Sequence, residues 1–453
     1  MELAHKQIDC SFRTILNISL PLILSALSSN LLYIIDRMIL AKYSLNAMNA
    51  AVMSGSLVAI YAFFWSSISG IAEVYVGQSN GRKDYANLAA PVWQMIYFSL
   101  LGFVFYFPFG YFTEYLNLLP DYCKAEGIHY SKVMTYCASL PALKMAFASF
   151  FIGQGKTKII TYTVLFGSIV NAGLDILLVF GYSDIVPEMG CKGAAVATIL
   201  AECIQILTLA ISFFNANNRK NFNITRLHVR KFDIKMFFGC IKLGVPLSIG
   251  RVFELLSWYI IYALVSHVSK DLATIWGICV SVYVLFAFVC DGLSKSSATI
   301  SANFIGQKSR EGIEKLLKYF TLFVLGLCAI LSIPLVFFPD SIFFFLDKTN
   351  ENISHLYPSI GIIFRIILVN IAFESCISVF WGIFLSGGDT KYPMVVSLSL
   401  LYAVVVIPTA VLFFIGKIYT AEIIYYISIV WDILVLILFH RRYKSLKWWK
   451  VLA

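Results

Sequence analysis

A chain of 453 residues that is 59% hydrophobic and only 13% charged is too apolar for a soluble enzyme, where about 25% of residues are charged. Its mean hydropathy of +0.81 comes from blocks of roughly 20 apolar residues, the length that crosses a bilayer core of about 30 Å. The net charge of +10 is spread over short loops and a tail, which reads as membrane orientation and not as a nucleic-acid-binding face.

In lipid every backbone amide must be satisfied within its own element, so the blocks are helices. Met1 to Arg13 is polar. The apolar segment after it is too long for a signal-peptide core and lacks a small-residue cleavage site, so it reads as a retained first span. Spans are expected near 14–41, 47–76, 88–113, 127–152, 158–181 and 190–215, then near 237–267, 271–301, 312–338, 356–386, 392–415 and 420–440. The longest polar stretch, Asn215 to Lys235, separates the sets and carries Arg219, Lys220, Arg226, Arg230, Lys231 and Lys235. The expected organisation is an N-terminal six-helix lobe (1–215), a basic linker (216–236), a C-terminal six-helix lobe (237–440) and a basic tail (441–453).

Loop charges set the orientation. After spans 2, 4, 6, 8 and 10 come Arg82/Lys83, Lys156/Lys158, the linker, Lys308/Arg310/Lys315, and Lys391. The alternate loops hold acids instead: Glu114, Asp121 and Glu126; Asp184 and Glu188; Asp340, Asp347 and Glu351. Both termini and the even loops are therefore expected in the cytoplasm. The ten cysteines, among them Cys137, Cys203, Cys279 and Cys376 inside apolar blocks, form no CxxC or Cys/His cluster, so neither a metal site nor a disulfide framework is expected. Cys123 and Cys191 fall on one side of the membrane and could pair, with two free thiols the favoured reading. The Asn-x-Ser/Thr matches at Asn17, Asn223 and Asn352 read as chance.

The chain also repeats itself. SLPLILSAL (Ser19–Leu27) answers to GVPLSIGRV (Gly244–Val252), aligning Pro21 with Pro246. VGQSNGRKDY answers to IGQKSREGIE, aligning Gly77-Gln78 with Gly306-Gln307, and FFIGQGKTK answers to FLSGGDTK, aligning Gly155 and Thr157 with Gly388 and Thr390. Three matches in one order predict two six-helix halves of the same orientation, related by a pseudo-twofold axis along the membrane normal. Transporters built this way carry substrate between the halves by alternating access.

Ionisable groups inside spans are costly and are functional candidates by default. They are Asp36, Arg37, Lys144, Asp175, Glu202, Arg251, Glu254, Asp291, Lys295, Arg365, Glu374 and Asp432. Asp291 and Lys295, spaced i, i+4, read as a self-neutralising pair. Arg251 lies one turn from Glu254 and could silence it, while Arg37 and Arg365 can snorkel from span ends. Glu202 and Asp432 have no partner visible in sequence. Asn171 and Asp175 share one face of span 5, and carboxylate, amide and hydroxyl oxygens suit a hard cation such as Na⁺. Two adjacent carboxylates could equally hold a proton. Trp258, one turn from Glu254, could share a cavity wall with it and face an organic cation, or simply pack.

Over nearly its full length the chain resembles the multidrug and toxic compound extrusion (MATE) family. The residues that carry the likeness are Leu20-Pro21 with Asp36, Gly77-Gln78, Asn171-Ala-Gly-Leu-Asp175, Gly193-Ala-Ala-Val-Ala-Thr198, Gly244-Val-Pro246 with Glu254, and Glu374 followed by Gly382 and Gly388-Asp389-Thr390. The resemblance implies an all-α fold of twelve transmembrane helices and a coupling-cation or proton site at Asp36, Asn171, Asp175 and Thr198. It also implies a hinge in the first helix, for which Pro21 is the candidate. Acids matching Glu254 and Glu374 occur in the NorM-like branch of that family, which makes them, with Trp258, the candidate second cation or substrate site. The Asp291/Lys295 pair, and glutamate in place of aspartate at 374, depart from the family pattern.

The resulting expectation is a monomeric, multi-pass protein of a bacterial inner membrane that exports amphipathic organic cations in exchange for Na⁺ or H⁺. It would need no other cofactor and would have membrane lipid, not nucleic acid, as its surroundings. The alternative is a lipid-linked oligosaccharide flippase of the same superfamily, with Lys144, Arg251 and Lys295 receiving pyrophosphate. A receptor or membrane-embedded enzyme has no support, since no nucleophile–base or metal-ligand spacing is present.

Overall fold

Where apolar blocks alternate with short polar loops, the chain forms long helices. The computed structural model describes residues 7–9, 11–113, 124–183, 185–337, 354–415 and 420–452. Cys123, the loop acids Glu114, Asp121, Asp184, Asp340, Asp347 and Glu351, and Asn352 lie outside the described residues.

The N-terminal set comprises α1 (Phe12–Tyr43), α2 (Leu45–Gly70) continued by α3 (Ala72–Arg82), α4 (Ala90–Phe112), α5 (Lys124–Tyr136) continued by α6 (Leu140–Gly153), α7 (Lys158–Phe180) and α8 (Gly190–Phe213). Two short linker helices follow, α9 (Ala216–Asn221) and α10 (Leu227–Arg230). The C-terminal set comprises α11 (Ile234–Val268), α12 (Lys270–Gly306), α13 (Arg310–Phe337), α14 (Tyr357–Ser386), α15 (Lys391–Leu400) continued by α16 (Ile407–Phe414), and α17 (Ala421–Lys444). Among the described residues eleven of these stretches are long and apolar enough to cross a membrane, and α13 takes the place of the ninth expected span.

The interruptions have local causes. Pro141 sits in the first turn of α6, where its missing N–H costs nothing, and the fourth span bends there. Pro408 opens α16 after a single π-helical stretch, Leu401–Val406, which absorbs an extra residue inside the eleventh span. Pro21 lies inside α1 without breaking it. Its ring leaves the Asn17 carbonyl without an intrahelical donor. That carbonyl accepts instead from Thr157 Oγ1 at 3.5 Å.

The internal repeat has a structural meaning. Gly155 and Gly388, aligned by it, both turn the chain in the left-handed region (φ 73° and 75°), where a side chain is strained. α1 packs along α12 and α2 along α11, so each half lends two helices to the seam. At the end carrying the basic loops the halves interlock. Asn80 Nδ2 donates to Asn303 Oδ1 at 2.7 Å, Asn303 Nδ2 to the Gly153 carbonyl at 2.9 Å, and Gln78 Nε2 to the Ser386 carbonyl at 2.8 Å. The repeat-matched Gln307 donates to the Ile8 carbonyl at 3.2 Å. The tail folds back onto the same place: Leu452 N donates to Gln78 Oε1 at 2.8 Å, and Trp448 is fully buried. Facing glutamines and asparagines thus close the basic-loop end of the molecule.

Candidate ion and substrate sites

A polar ladder runs up the seam between α1 and α7. Above the Thr157–Asn17 contact, Thr161 Oγ1 donates to the Pro21 carbonyl at 2.7 Å and Ser25 Oγ donates to Thr161 Oγ1 at 3.1 Å. The Ser28 and Ser168 hydroxyls meet at 3.1 Å. The next polar rung is a carboxyl pair. Asp175, 1% exposed, accepts from Asn171 Nδ2 at 2.7 Å through Oδ2, and its carboxyl group lies within hydrogen-bonding reach of that of Asp36. One oxygen of each, Asp36 Oδ1 and Asp175 Oδ1, is buried without a partner. Two carboxyl groups so placed can share one proton or hold one cation between their oxygens.

Thr198 donates its hydroxyl hydrogen to the Ala194 carbonyl of its own helix at 3.0 Å, which leaves the lone pairs of its oxygen free. A residue the sequence did not suggest lies near the pair. Tyr130 on α5 stands within electrostatic reach of Asp36, Asp175 and Arg37. Its phenol would have been findable only as a polar tip in an otherwise apolar stretch. Arg37 lies over the Tyr33 ring, 3.6 Å from its centroid, and does not reach for the span end.

The C-terminal half distributes its charges differently from the sequence expectation. Asp291 and Lys295 do not form an ion pair; Asp291 faces Arg251 across the helix gap at 3.9 Å. Arg251 also bonds Glu254 at 3.2 Å, so one guanidinium draws two acids. The guanidinium reaches both acids because Glu254 lies one turn along its own helix and Asp291 approaches it from α12. Lys295 is exposed toward the space between the halves and has Glu73, a buried acid on α3 absent from the sequence candidates, within electrostatic reach. Glu73 Oε2 has no hydrogen-bond partner. Asp291 is 57% exposed although it sits mid-span. An intramembrane charge so exposed is a candidate for contact with water or a ligand.

Glu374 leaves Glu254 to Arg251 and accepts a hydrogen bond from the Tyr283 hydroxyl on α12. Arg365 is exposed and makes no ion pair with it. One turn before Glu374, Asn370 Nδ2 donates to Ser428 Oγ at 2.6 Å, and one turn beyond Ser428 lies Asp432, 2% exposed with Oδ1 unpartnered. Trp258 packs, half-buried, in a ring cluster with Trp276 and Trp431, at 6.4 and 6.5 Å between centroids. Glu202 also finds its partner: Lys144 Nζ donates to Glu202 Oε1 at 2.6 Å, half-buried between α6 and α8. Lys144→Met is expected to lower stability by about 1–3 kcal/mol, because it strands a carboxylate, whereas Lys144→Met/Glu202→Gln recovers most of the loss. Thermal unfolding of the purified variants measures both.

Comparison with known proteins agrees with this architecture. The MatE family profile matches residues 21–177 and again 246–412, more than half of the chain and once per half. The two matches begin at the repeat-aligned prolines Pro21 and Pro246. Among curated relatives, the probable multidrug resistance protein YoeA of Bacillus subtilis is 24% identical over 305 residues, 66% of this chain and 65% of that one. The multidrug resistance protein MdtK of Klebsiella pneumoniae is 20% identical over 258 residues, 56% of each. The chain therefore spans less than two-thirds of the length of these relatives. Two solved structures overlay almost completely, each over 97% of both chains at 14% identity. One is a MOP superfamily transporter from Pyrococcus furiosus, at a TM-score of 0.86, and the other a MATE protein in a straight conformation, at 0.85. At that identity they speak for the fold alone. With both halves matched by one family profile and the fold shared end to end, the chain belongs to the MatE family of membrane transporters.

Proposed function

We propose that this protein is a secondary active efflux transporter of the NorM-like branch, exporting organic cations in exchange for Na⁺ or H⁺ by alternating access. The observation that supports it best is the Asp36–Asp175 pair. Two carboxyls, Asp175 buried and Asp36 half-buried, each with one buried unfilled oxygen, stand at the head of a hydroxyl ladder that runs down to the proline-freed carbonyl of α1. A cation arriving between those oxygens changes what α1 gains by lying along α7, and α1 also packs on α12 of the other half. Binding energy at the pair thereby biases how the halves sit together, which is what coupling requires.

The cleft charges favour cations as cargo. Arg251 is engaged by Glu254 and Asp291, and Lys144 by Glu202, so Lys295 is left to receive the pyrophosphate of a lipid-linked oligosaccharide. The flippase reading loses its basis on that count. The reading extends to a monomer in a bacterial inner membrane, with both termini and the linker in the cytoplasm.

The test is ethidium export from proteoliposomes under an imposed Na⁺ or pH gradient. Export driven by one gradient and not the other identifies the ion; no gradient-driven export of any organic cation would overturn the reading. Orientation is checked separately. A cysteine placed at Arg219 is expected to resist an impermeant maleimide added outside sealed cells, and its labelling there would invert the topology.

A further inference from the structure

One cleft has no part in the efflux reading. It lies between α4 and the linker at the basic-loop end, measures about 460 Å³, and is lined by Trp93, Tyr97, Leu227, His228, Arg230 and Lys231. We propose that this cleft is a binding site for the phosphate headgroup of an anionic phospholipid, which seats the linker between the two halves on the membrane surface.

The first support is rigidity. The linker backbone is tied to α4 by four side-chain bonds: Trp93 Nε1 to the Ile224 carbonyl at 2.9 Å, Gln94 Nε2 to the Lys231 carbonyl at 2.9 Å, Tyr97 Oη to the Arg230 carbonyl at 2.5 Å, and Asp233 N to Gln94 Oε1 at 3.1 Å. Arg230 and Lys231 are therefore displayed from a fixed backbone, so little ordering entropy is lost when a ligand binds.

The second is unspent charge. Arg226, His228, Arg230 and Lys231 are all exposed, and none makes an ion pair with a described acid. Asp233, the acid of this stretch, uses its carboxylate to cap α11 by accepting from Lys235 N and Met236 N. Guanidinium and ammonium groups converging on an open cleft suit a phosphodiester.

The third separates a lipid from a free phosphate. Beside the cations lie Leu227, 73% exposed, and exposed Phe232, Ile234 and Phe238, with the Phe232 ring 6.2 Å from that of Tyr97. Cations, a tryptophan, a tyrosine and bare apolar side chains at the ends of two spans make up a membrane interface. A free phosphate would leave those apolar groups in water; acyl chains cover them. The site depends on the membrane-spanning fold and not on what the protein exports.

The experiment uses the full-length protein in phosphatidylcholine vesicles doped with phosphatidylglycerol brominated on its acyl chains. Quenching of Trp93, isolated by difference against Trp93→Phe, gives an association constant. Arg230→Gln/Lys231→Gln is expected to weaken it about thirtyfold, taking about fivefold for each basic group removed. Arg219→Gln/Lys220→Gln deletes the same charge from the linker outside the cleft and is expected to leave the constant near wild type. Equal weakening by both pairs would mean diffuse attraction and overturn the site. So would quenching by brominated phosphatidylcholine as strong as by the anionic lipid, or displacement of the lipid by inorganic phosphate alone.

Discussion

Asp36→Asn is expected to bring gradient-driven export to background while leaving membrane insertion and the melting temperature unchanged or slightly higher. The amide keeps the shape of the side chain but can neither take up a proton nor offer a negative oxygen to a cation. Reversing a two-state equilibrium from nearly all one state to nearly all the other takes about 5.5 kcal/mol of differential binding. The carboxyl pair is the candidate source for most of it, because Asp36 Oδ1 and Asp175 Oδ1 are the oxygens that the protein leaves unfilled there. Stability has no reason to fall, since removing a charge from a span lowers its cost in lipid. Asn171→Ala is a gentler probe. It strips the 2.7 Å donor from Asp175 but spares both acids, and is expected to shift the ion concentration for half-maximal export without abolishing it. Export in vesicles and unfolding in detergent are to be measured on the same preparations. If Asp36→Asn loses export and melting temperature together, the pair is scaffold and the coupling assignment goes.

How far the sequence reaches is clearest from which partners it finds. Asn171 and Asp175 are separated by one helical turn, so their spacing alone puts them together, and Arg251 finds Glu254 for the same reason. Spacing misleads at Asp291 and Lys295, where i, i+4 permits a pair but a guanidinium on the neighbouring helix takes the acid first. Contacts across helices leave no local trace. Lys144 meets Glu202, and Tyr283 meets Glu374, over separations of 58 and 91 residues, and neither is signalled by composition. Glu73 gives no signal in the sequence because it stands at the end of a span beside a polar loop, where an acid looks solvated; packing of α3 against α12 buries it. Helix breaks divide the same way. Those at Pro141 and Pro408 are written in the proline, whereas the one at Ile71 has no residue that demands it. The repeat was legible as paired motifs, and only the fold shows that the motifs are where the halves touch.

That touching surface gives the other large effect. Gly306→Ala is expected to shift the conformational equilibrium toward a state open at the basic-loop end. A Cβ at Gly306 would stand 2.1 Å from the Gln78 carbonyl oxygen, and one at Gly81 2.1 Å from the Asn303 carbonyl oxygen. The obstacle in both cases is backbone, which cannot swing aside as a side chain tip could. Either α12 retreats from α3 or the closure is lost, and retreat would break the Asn80–Asn303 and Asn303–Gly153 bonds that hold the halves. Overpacking of this kind costs about 1–3 kcal/mol, which is about 5- to 150-fold in the ratio of closed to open. Spin labels on exposed Asn87 and Glu311, one on each half beside the closure, are expected to move apart in the variant. Ethidium export should slow with them, because a molecule held open at one end cannot complete its cycle. Gly277→Ala, on the same helix with no atom within 4 Å of the new methyl, is the matched control and is expected to change neither. An unchanged label separation in Gly306→Ala at full stability would mean that α12 yields locally, and the glycines would then be fitting the helices together without setting the gate.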